Sequence, residues 1–154
     1  MQTKNRLYLP VVLVAAGMMF FSCFTPAEAV TTTKWYTTAS DYKKVSVAAE
    51  KEKKPFILFF YTDWCGFCKK LNSKYLSNSQ VESVLNRCYR VKINPEKGKK
   101  ELALAHKKHV RGYPDFRVVL PDGRNVKLHP FTKHGSWTVK EFTAALKDVL
   151  AQGS

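Results

Sequence analysis

Tyr61-Thr62-Asp63-Trp64-Cys65-Gly66-Phe67-Cys68-Lys69-Lys70-Leu71 is the stretch on which the reading of this chain turns. An apolar run from Phe56 to Tyr61 leads into it and reads as a buried strand, and a helical pattern follows. The two cysteines therefore sit where a strand hands over to a helix. Cys65 falls near the helix N-terminus, where unpaired backbone N–H groups and the helix dipole favour negative charge. A thiolate is the species that attacks disulfides, so this placement lowers a cysteine's pKa and activates it. Two residues between cysteines on a first helical turn also bring the sulfurs close enough to bridge. Cys65 is then the outer, attacking sulfur, and Cys68 the inner one that resolves a mixed disulfide. Half of a zinc site and a purely structural disulfide remain open as alternatives.

Together with Gly112-Tyr113-Pro114, the pattern Asp63-Trp64-Cys65-Gly66-Phe67-Cys68-Lys69-Lys70-Leu71 resembles the thioredoxin superfamily. It looks most like the small secreted thioredoxin-like proteins of bacteria, and the C-terminal domain of the membrane reductase DsbD belongs to the same broad group. The resemblance runs from about Trp35 to the C-terminus. It implies an α/β thioredoxin fold, a central mixed β-sheet flanked by helices on both faces, and thiol–disulfide exchange. It also implies a redox-active Cys65–Cys68 disulfide as the only redox group, without cofactor or metal. The partners it implies are protein disulfide substrates and an upstream electron donor such as a membrane reductase. Pro114 matches the family's cis-proline loop, which lies against the disulfide, and Tyr113 the residue that offers backbone hydrogen bonds to a substrate strand. Trp64, Gly66, Phe67, Tyr113 and Pro114 would shape the docking surface, with Gly112 giving the loop its freedom to bend.

The chain departs from thioredoxin in ways that matter. Six residues before the first cysteine, where thioredoxin has a buried aspartate that helps move the inner cysteine's proton, this chain has Phe59. Asp63 is near in sequence but reads as an exposed loop carboxylate. Ser73 stands where thioredoxin has a kink proline, so a straighter helix is expected. Gly66 and Phe67 put no cation between the cysteines, and Lys69 and Lys70 are expected to face outward, where their charge is screened.

A chain of 154 residues is one domain's worth, and a monomer is expected. Lys4 and Arg6 precede an apolar stretch from Leu7 to Phe24, and Ala27-Glu28-Ala29 offers small residues for cleavage. That order is a secretory signal, giving a leader over 1–29, a thioredoxin-like domain over 30–154, and a periplasmic or otherwise exported location. The membrane enters only if the leader is retained as an anchor or Cys23 is lipidated. The formal net charge is +14, of which the leader carries +1, leaving +13. Export argues against nucleic acid as the partner, and the lysines are spread over Lys51–Lys54, Lys97–Lys100 and Lys107-Lys108 as solvated faces.

Along the mature chain, Val30 to Ala39 reads as a flexible lead-in whose Trp35 packs back on the domain. Ser40 is expected to cap a helix to about Lys53 with Tyr42, Val45 and Ala49 on its inner face. The active-site helix continues to about Leu76, and Ser79 caps a short helix carrying Val81, Val84 and Leu85. Tyr89 to Ile93 is a second buried strand. Lys99 to His109 is a helix with Leu102, Ala105 and His109 on one stripe. Phe116–Leu120 and Asn125–Leu128 form a hairpin around Pro121-Asp122-Gly123-Arg124. The segment His129 to Trp137 has no assignment. Thr138 and Glu141 form a capping box for a last helix with Phe142, Leu146, Val149 and Leu150 inward.

His106 and His109, three apart, have ligand-capable spacing and nominally complete a zinc set with Cys65 and Cys68. Cys88 reads as a buried apolar residue once Cys23 is removed. The expected function is an exported thiol–disulfide oxidoreductase working as a reductase. A disulfide isomerase or oxidase is the rival within that chemistry, and a non-enzymatic metal carrier using the cysteine pair is the rival from another class.

Overall fold

The structure, a computed structural model, describes residues 30–153. The leader, the cleavage site at Ala27-Glu28-Ala29 and Cys23 lie outside the described residues.

Phe56–Phe60 (β2) is buried at every position. A strand with both faces covered must be apolar throughout, and this one forms the middle of a five-stranded sheet. The order is β1-β3-β2-β4-β5, with β1 Trp35–Tyr36, β3 Tyr89–Ile93, β4 Asp115–Val119 and β5 Asn125–Lys127. β3 runs parallel to both β1 and β2, whereas β4 is antiparallel to β2 and β5 to β4. The sheet is therefore mixed.

Alternation along β2 splits the core in two. Ile57 and Phe59 face the side covered by α2 (Gly66–Leu71), α3 (Ser79–Leu85) and α5 (Val139–Ala151), where they meet Leu71, Val81, Leu85, Phe116 and Phe142. Phe56, Leu58 and Phe60 face α1 (Ala39–Lys51) and α4 (Lys99–Lys107), packing with Val45, Ala49, Val91 and Leu104. Helices thus cover both faces, as a sheet with two apolar sides requires. Among the described residues no helix is long and apolar enough to cross a membrane.

The element ends show where local chemistry overrode the simpler pattern. Thr38, not Ser40, caps α1: its hydroxyl accepts from the Asp41 N–H while Asp41 reaches back, a full capping box. Asn78, rather than Ser79, caps α3. Trp35 and Tyr36 are not a free lead-in but a short strand on β3, held by the Arg90 guanidinium 5.7 Å from the Trp35 ring. The chain from His129 to Trp137 folds into a small hairpin, β6 Phe131–Thr132 and β7 Gly135–Ser136.

α4 stops at Lys107, two residues early, and His109 lies outside it at φ 52°. The Val110 N–H donates to the Ala105 carbonyl, the six-to-one closure of a left-handed helix terminus. Leu102 is exposed, and Leu104 with Ala105 forms the buried side. β4 starts at Asp115 rather than Phe116, and β5 ends at Lys127. The active-site helix is not a straight α-helix to Leu76: α-helical bonding ends at Leu71, and Asn72–Leu76 form a π turn closed by Ser77 N–H to Asn72 C=O at 2.9 Å. Tyr75, within that turn, is wholly buried, with its hydroxyl donating to the Trp137 carbonyl at 2.6 Å.

Candidate active site

β2 ends at Phe60, and the loop that follows delivers the two cysteines to the edge of the core. Cys65 is the residue capping α2, and its sulfur accepts the Cys68 backbone N–H at 3.1 Å. An electronegative atom there meets one of the donors a helix start leaves unpaired. Cys65 and Cys68 are joined as a disulfide across a Cα–Cα distance of 5.2 Å. As whole residues the two are buried alike, 5% and 4% exposed.

Around this disulfide the surface is aromatic. Trp64 and Phe67 are large exposed side chains, 67% and 58% accessible. Trp64 meets Tyr113 edge to face, centroids 6.2 Å apart, and Phe67 packs on Phe131 at 5.2 Å. The Tyr113–Pro114 peptide bond is cis. Trp64, Gly66, Phe67 and Tyr113 therefore fall on or beside the dithiol helix and its facing loop, with Gly66 open to solvent and free of close neighbours.

The charged groups are mostly engaged elsewhere. Asp63 pairs with Lys97 at 2.7 Å, both more than half exposed, and the Lys97 ammonium holds its carboxyl below the usual range. Lys69 and Lys70 are exposed, Lys70 lying 5.8 Å from the Phe131 ring centre. Directly after Pro114, Asp115 is buried and makes a two-pronged ion pair with buried Arg117 and a further pair with Lys127 at 2.8 Å. Burial pushes the Asp115 carboxyl up, but the Arg117 and Lys127 hydrogen bonds outweigh it and leave it below the ordinary carboxylate value.

His106 and His109 do not join the cysteines. Among the described residues no group of three or more His, Cys, Asp or Glu is placed to hold a metal ion. Cys88 is a free, buried thiol pushed up to about 12 by its burial.

Three parts of the neighbourhood had no sequence signal strong enough to single them out. Phe131 belongs to the unassigned hairpin. Glu96 follows Asn94-Pro95, which reads only as a strand stop, yet its carboxylate takes the Trp64 indole N–H at 2.8 Å. Thr62 hides a hydroxyl inside an otherwise apolar approach, 1% exposed.

The family model for a thioredoxin-like domain matches residues 42–150, which takes in the dithiol and the Tyr113–Pro114 loop and runs from within α1 into α5. The chain belongs to the thioredoxin-like domain family. Among proteins of known function, this thioredoxin-like chain is 37% identical over 79 residues to a protein disulfide-isomerase of Triticum aestivum, a match spanning 49% of this chain and 15% of that protein. It thus covers only a small part of the wheat protein's length. Among solved structures it is similar to a thioredoxin from Thermus thermophilus, with a TM-score of 0.59 and 23% identity over 79% of this chain and 89% of that one. It is also similar to the DsbD C-terminal domain of Neisseria meningitidis, with a TM-score of 0.60 and 22% identity over 75% and 98% of the two chains. At those identities the likeness is one of fold. Family, fold and the Cys65–Cys68 pair make this thioredoxin-like domain a thiol–disulfide oxidoreductase.

Proposed function

We propose that this oxidoreductase is an exported disulfide reductase acting on envelope or secreted proteins. In its reduced form, the Cys65 thiolate attacks one sulfur of a client disulfide, that bond breaks, and the first client sulfur leaves. Cys68 then attacks the Cys65 sulfur, releases the second client thiol and leaves the Cys65–Cys68 disulfide. An upstream dithiol donor, of the kind a membrane reductase presents, returns two electrons. The dithiol itself carries those electrons, and no added cofactor enters the cycle. Trp64, Phe67 and Tyr113 offer the client an aromatic surface, and Pro114, next to Tyr113 in the same loop, completes it.

The observation that carries the direction is the poverty of charge around Cys65. A strong oxidant such as DsbA, near about −120 mV, differs from thioredoxin, near about −270 mV, by about 7 kcal/mol of reduced-state stabilisation. A helix N-terminus contributes about 0.3–1 kcal/mol, or about 2 kcal/mol when partly buried. Gly66 and Phe67 add no charge, and Lys69 and Lys70 are solvent-exposed, where their fields are screened. A potential below about −220 mV is expected. Equilibration against glutathione of known ratio, followed by alkylation and mass analysis, measures it.

An isomerase reading is favoured by the similarity to the wheat protein disulfide-isomerase. A potential above about −160 mV would move the assignment to that side and leave the site unchanged.

A further inference from the structure

A cavity of about 480 Å³ opens at the end of the molecule away from the dithiol. Pro55 and Cys88 line it, and each directly precedes one of the parallel strands β2 and β3. The dithiol loop leaves β2 at its other end. The five residues of that strand, roughly 16 Å at about 3.3 Å each, lie between the two sites. Three segments converge on the cavity. The turn after α1 brings Lys53 and Lys54, and the end of α3 with its following turn brings Val84 and Arg87. The last turns of α5 bring Lys147, Leu150 and Ala151, whose spacing of three and four residues puts them on one helix face.

The wall carries four cations and, among the described residues, no carboxylate. Lys54 is held by Glu52 at 2.8 Å. Lys53, Arg87 and Lys147 are exposed and make no ion pair with any described residue. Cys88 adds no countercharge. Burial pushes its thiol up to about 12, against the pull of the Arg90 and Arg87 charges, so it stays neutral. Like charges gathered round one concavity repel each other, and an anion seated among them relieves that. Beside them Val84 is buried and Leu150 half-buried, an apolar flank that a bare inorganic anion would leave unused. Among the described residues no aromatic side chain lines the cavity, so nucleic-acid bases find nothing there to stack on.

We propose that this cavity binds the headgroup of an anionic phospholipid. Lys53, Arg87 and Lys147 surround the phosphate, and the glycerol and first acyl carbons lie against Val84, Leu150 and Ala151. The site is independent of the direction of electron flow at Cys65. A lipid held at this end leaves Trp64, Phe67 and Tyr113 uncovered, so the chain can meet a client while it rests on a bilayer.

A short-chain lipid below its micelle concentration tests this, followed by amide NMR shifts on protein from a native-like host with the same N-terminus in every variant. Dihexanoylphosphatidylglycerol should move the amides of Val84, Arg87, Leu150 and Ala151 saturably. Each cation facing an anionic lipid strengthens binding by about fivefold, so Arg87→Gln and Lys147→Gln should each weaken it by that factor, and the double variant by more than tenfold. Lys100→Gln, the same charge change on α4 across the sheet, should stay within about twofold of wild type. Unchanged reduction of dithiobis(nitrobenzoate) shows each variant to be folded, and Lys53→Gln carries the test if the Arg87 variant is not. Equal weakening by Lys100→Gln, or shifts spread over every lysine-bearing face, would reduce the effect to net charge and overturn the proposal. So would equal affinity for zwitterionic dihexanoylphosphatidylcholine, or for inorganic phosphate, which has no apolar part.

Discussion

The Trp64 indole donates its N–H to the Glu96 carboxylate at 2.8 Å, so the residue ahead of Cys65 is moored to the turn that follows β3. The adjacent pair, Asp63 with Lys97, makes a second tie between the same two segments. Two consecutive residues of the dithiol loop are thus fastened to two consecutive residues of the turn Pro95–Lys97. The exposed indole is an oriented contact surface rather than a swinging one, and ordering it in advance lowers the entropy lost when a client docks.

Replacing Glu96 with alanine should therefore weaken docking without touching the chemistry. A hydrogen bond of this kind contributes about 0.5–1.5 kcal/mol, and less at an exposed site, so KM for a protein client should rise by a few-fold. The rate with a small aromatic disulfide should not change. Steady-state kinetics with both substrates decide it.

The cysteines should separate by role. Cys65→Ser should abolish disulfide reduction, and Cys68→Ser should still attack but accumulate the mixed disulfide, visible by mass. Cys88→Ala should keep full turnover and cost about 1 kcal/mol of stability from lost packing. Because burial raises the Cys88 thiol to about 12, the unfolded chain gives up that proton first. The stability tied to it is present at neutral pH and is lost as pH climbs from about 9 toward 12. Alkaline denaturation of wild type against Cys88→Ala should show the difference.

Asp115 should matter at the other end of the pH scale. Its carboxyl lies below the ordinary value in the folded state, so its stabilisation is present above about pH 4 and fades as pH falls through the folded pKa. Asp115→Asn leaves the buried Arg117 guanidinium without its countercharge and should cost about 3–5 kcal/mol at neutral pH. Urea titrations across the acid range should show the gap between variant and wild type shrinking as the medium becomes more acidic.

Lys53 and His109 close α1 and α4 at φ 51° and 52°, in the left-handed region where a Cβ is strained. Glycine at either position should stabilise the fold by up to about 1 kcal/mol, the relief being partly offset by its freer unfolded chain. Thermal unfolding of each single variant measures it.

Cleavage of the leader is expected to leave Val30 as the first residue. Intact-mass analysis of protein from a native-like host checks this. A lipid on Cys23 or a retained leader would contradict cleavage after Ala29.

The parts of the fold that could be read in advance are those where one local signal dominates. Phe56–Phe60 has no polar residue to argue for a solvent face, and Thr138 with Glu141 is a cap whose two halves are both visible in sequence. Thr38 with Asp41 is the same signal, hidden by a second hydroxyl two residues on, at Ser40. Trp35–Tyr36 and the Phe131–Ser136 hairpin were opaque for another reason. Strands of two residues have no period, and their place is set by what they pair with. At the site, Cys65 and Cys68 were legible from spacing. Phe131, Glu96 and Thr62 were not, because their role is to touch a motif distant in sequence or to wall a cleft.

The π turn at Asn72–Leu76 fixes the angular register of the active-site helix. Each residue of an α-helix advances about 100° around the axis, so one additional residue taken up in a wide turn shifts everything after it by that amount. Before the turn, Cys65 and Cys68 keep their places above Leu71. In its second half, Tyr75 points to Phe142, ring centroids 4.8 Å apart, and Lys74 reaches the Trp137 carbonyl at 2.7 Å. A regular helix through the same sequence would hold one of these sets in place and rotate the other toward solvent. Deleting one residue here, at Ser73, is the change that would let the helix run regular while leaving both sets where they are.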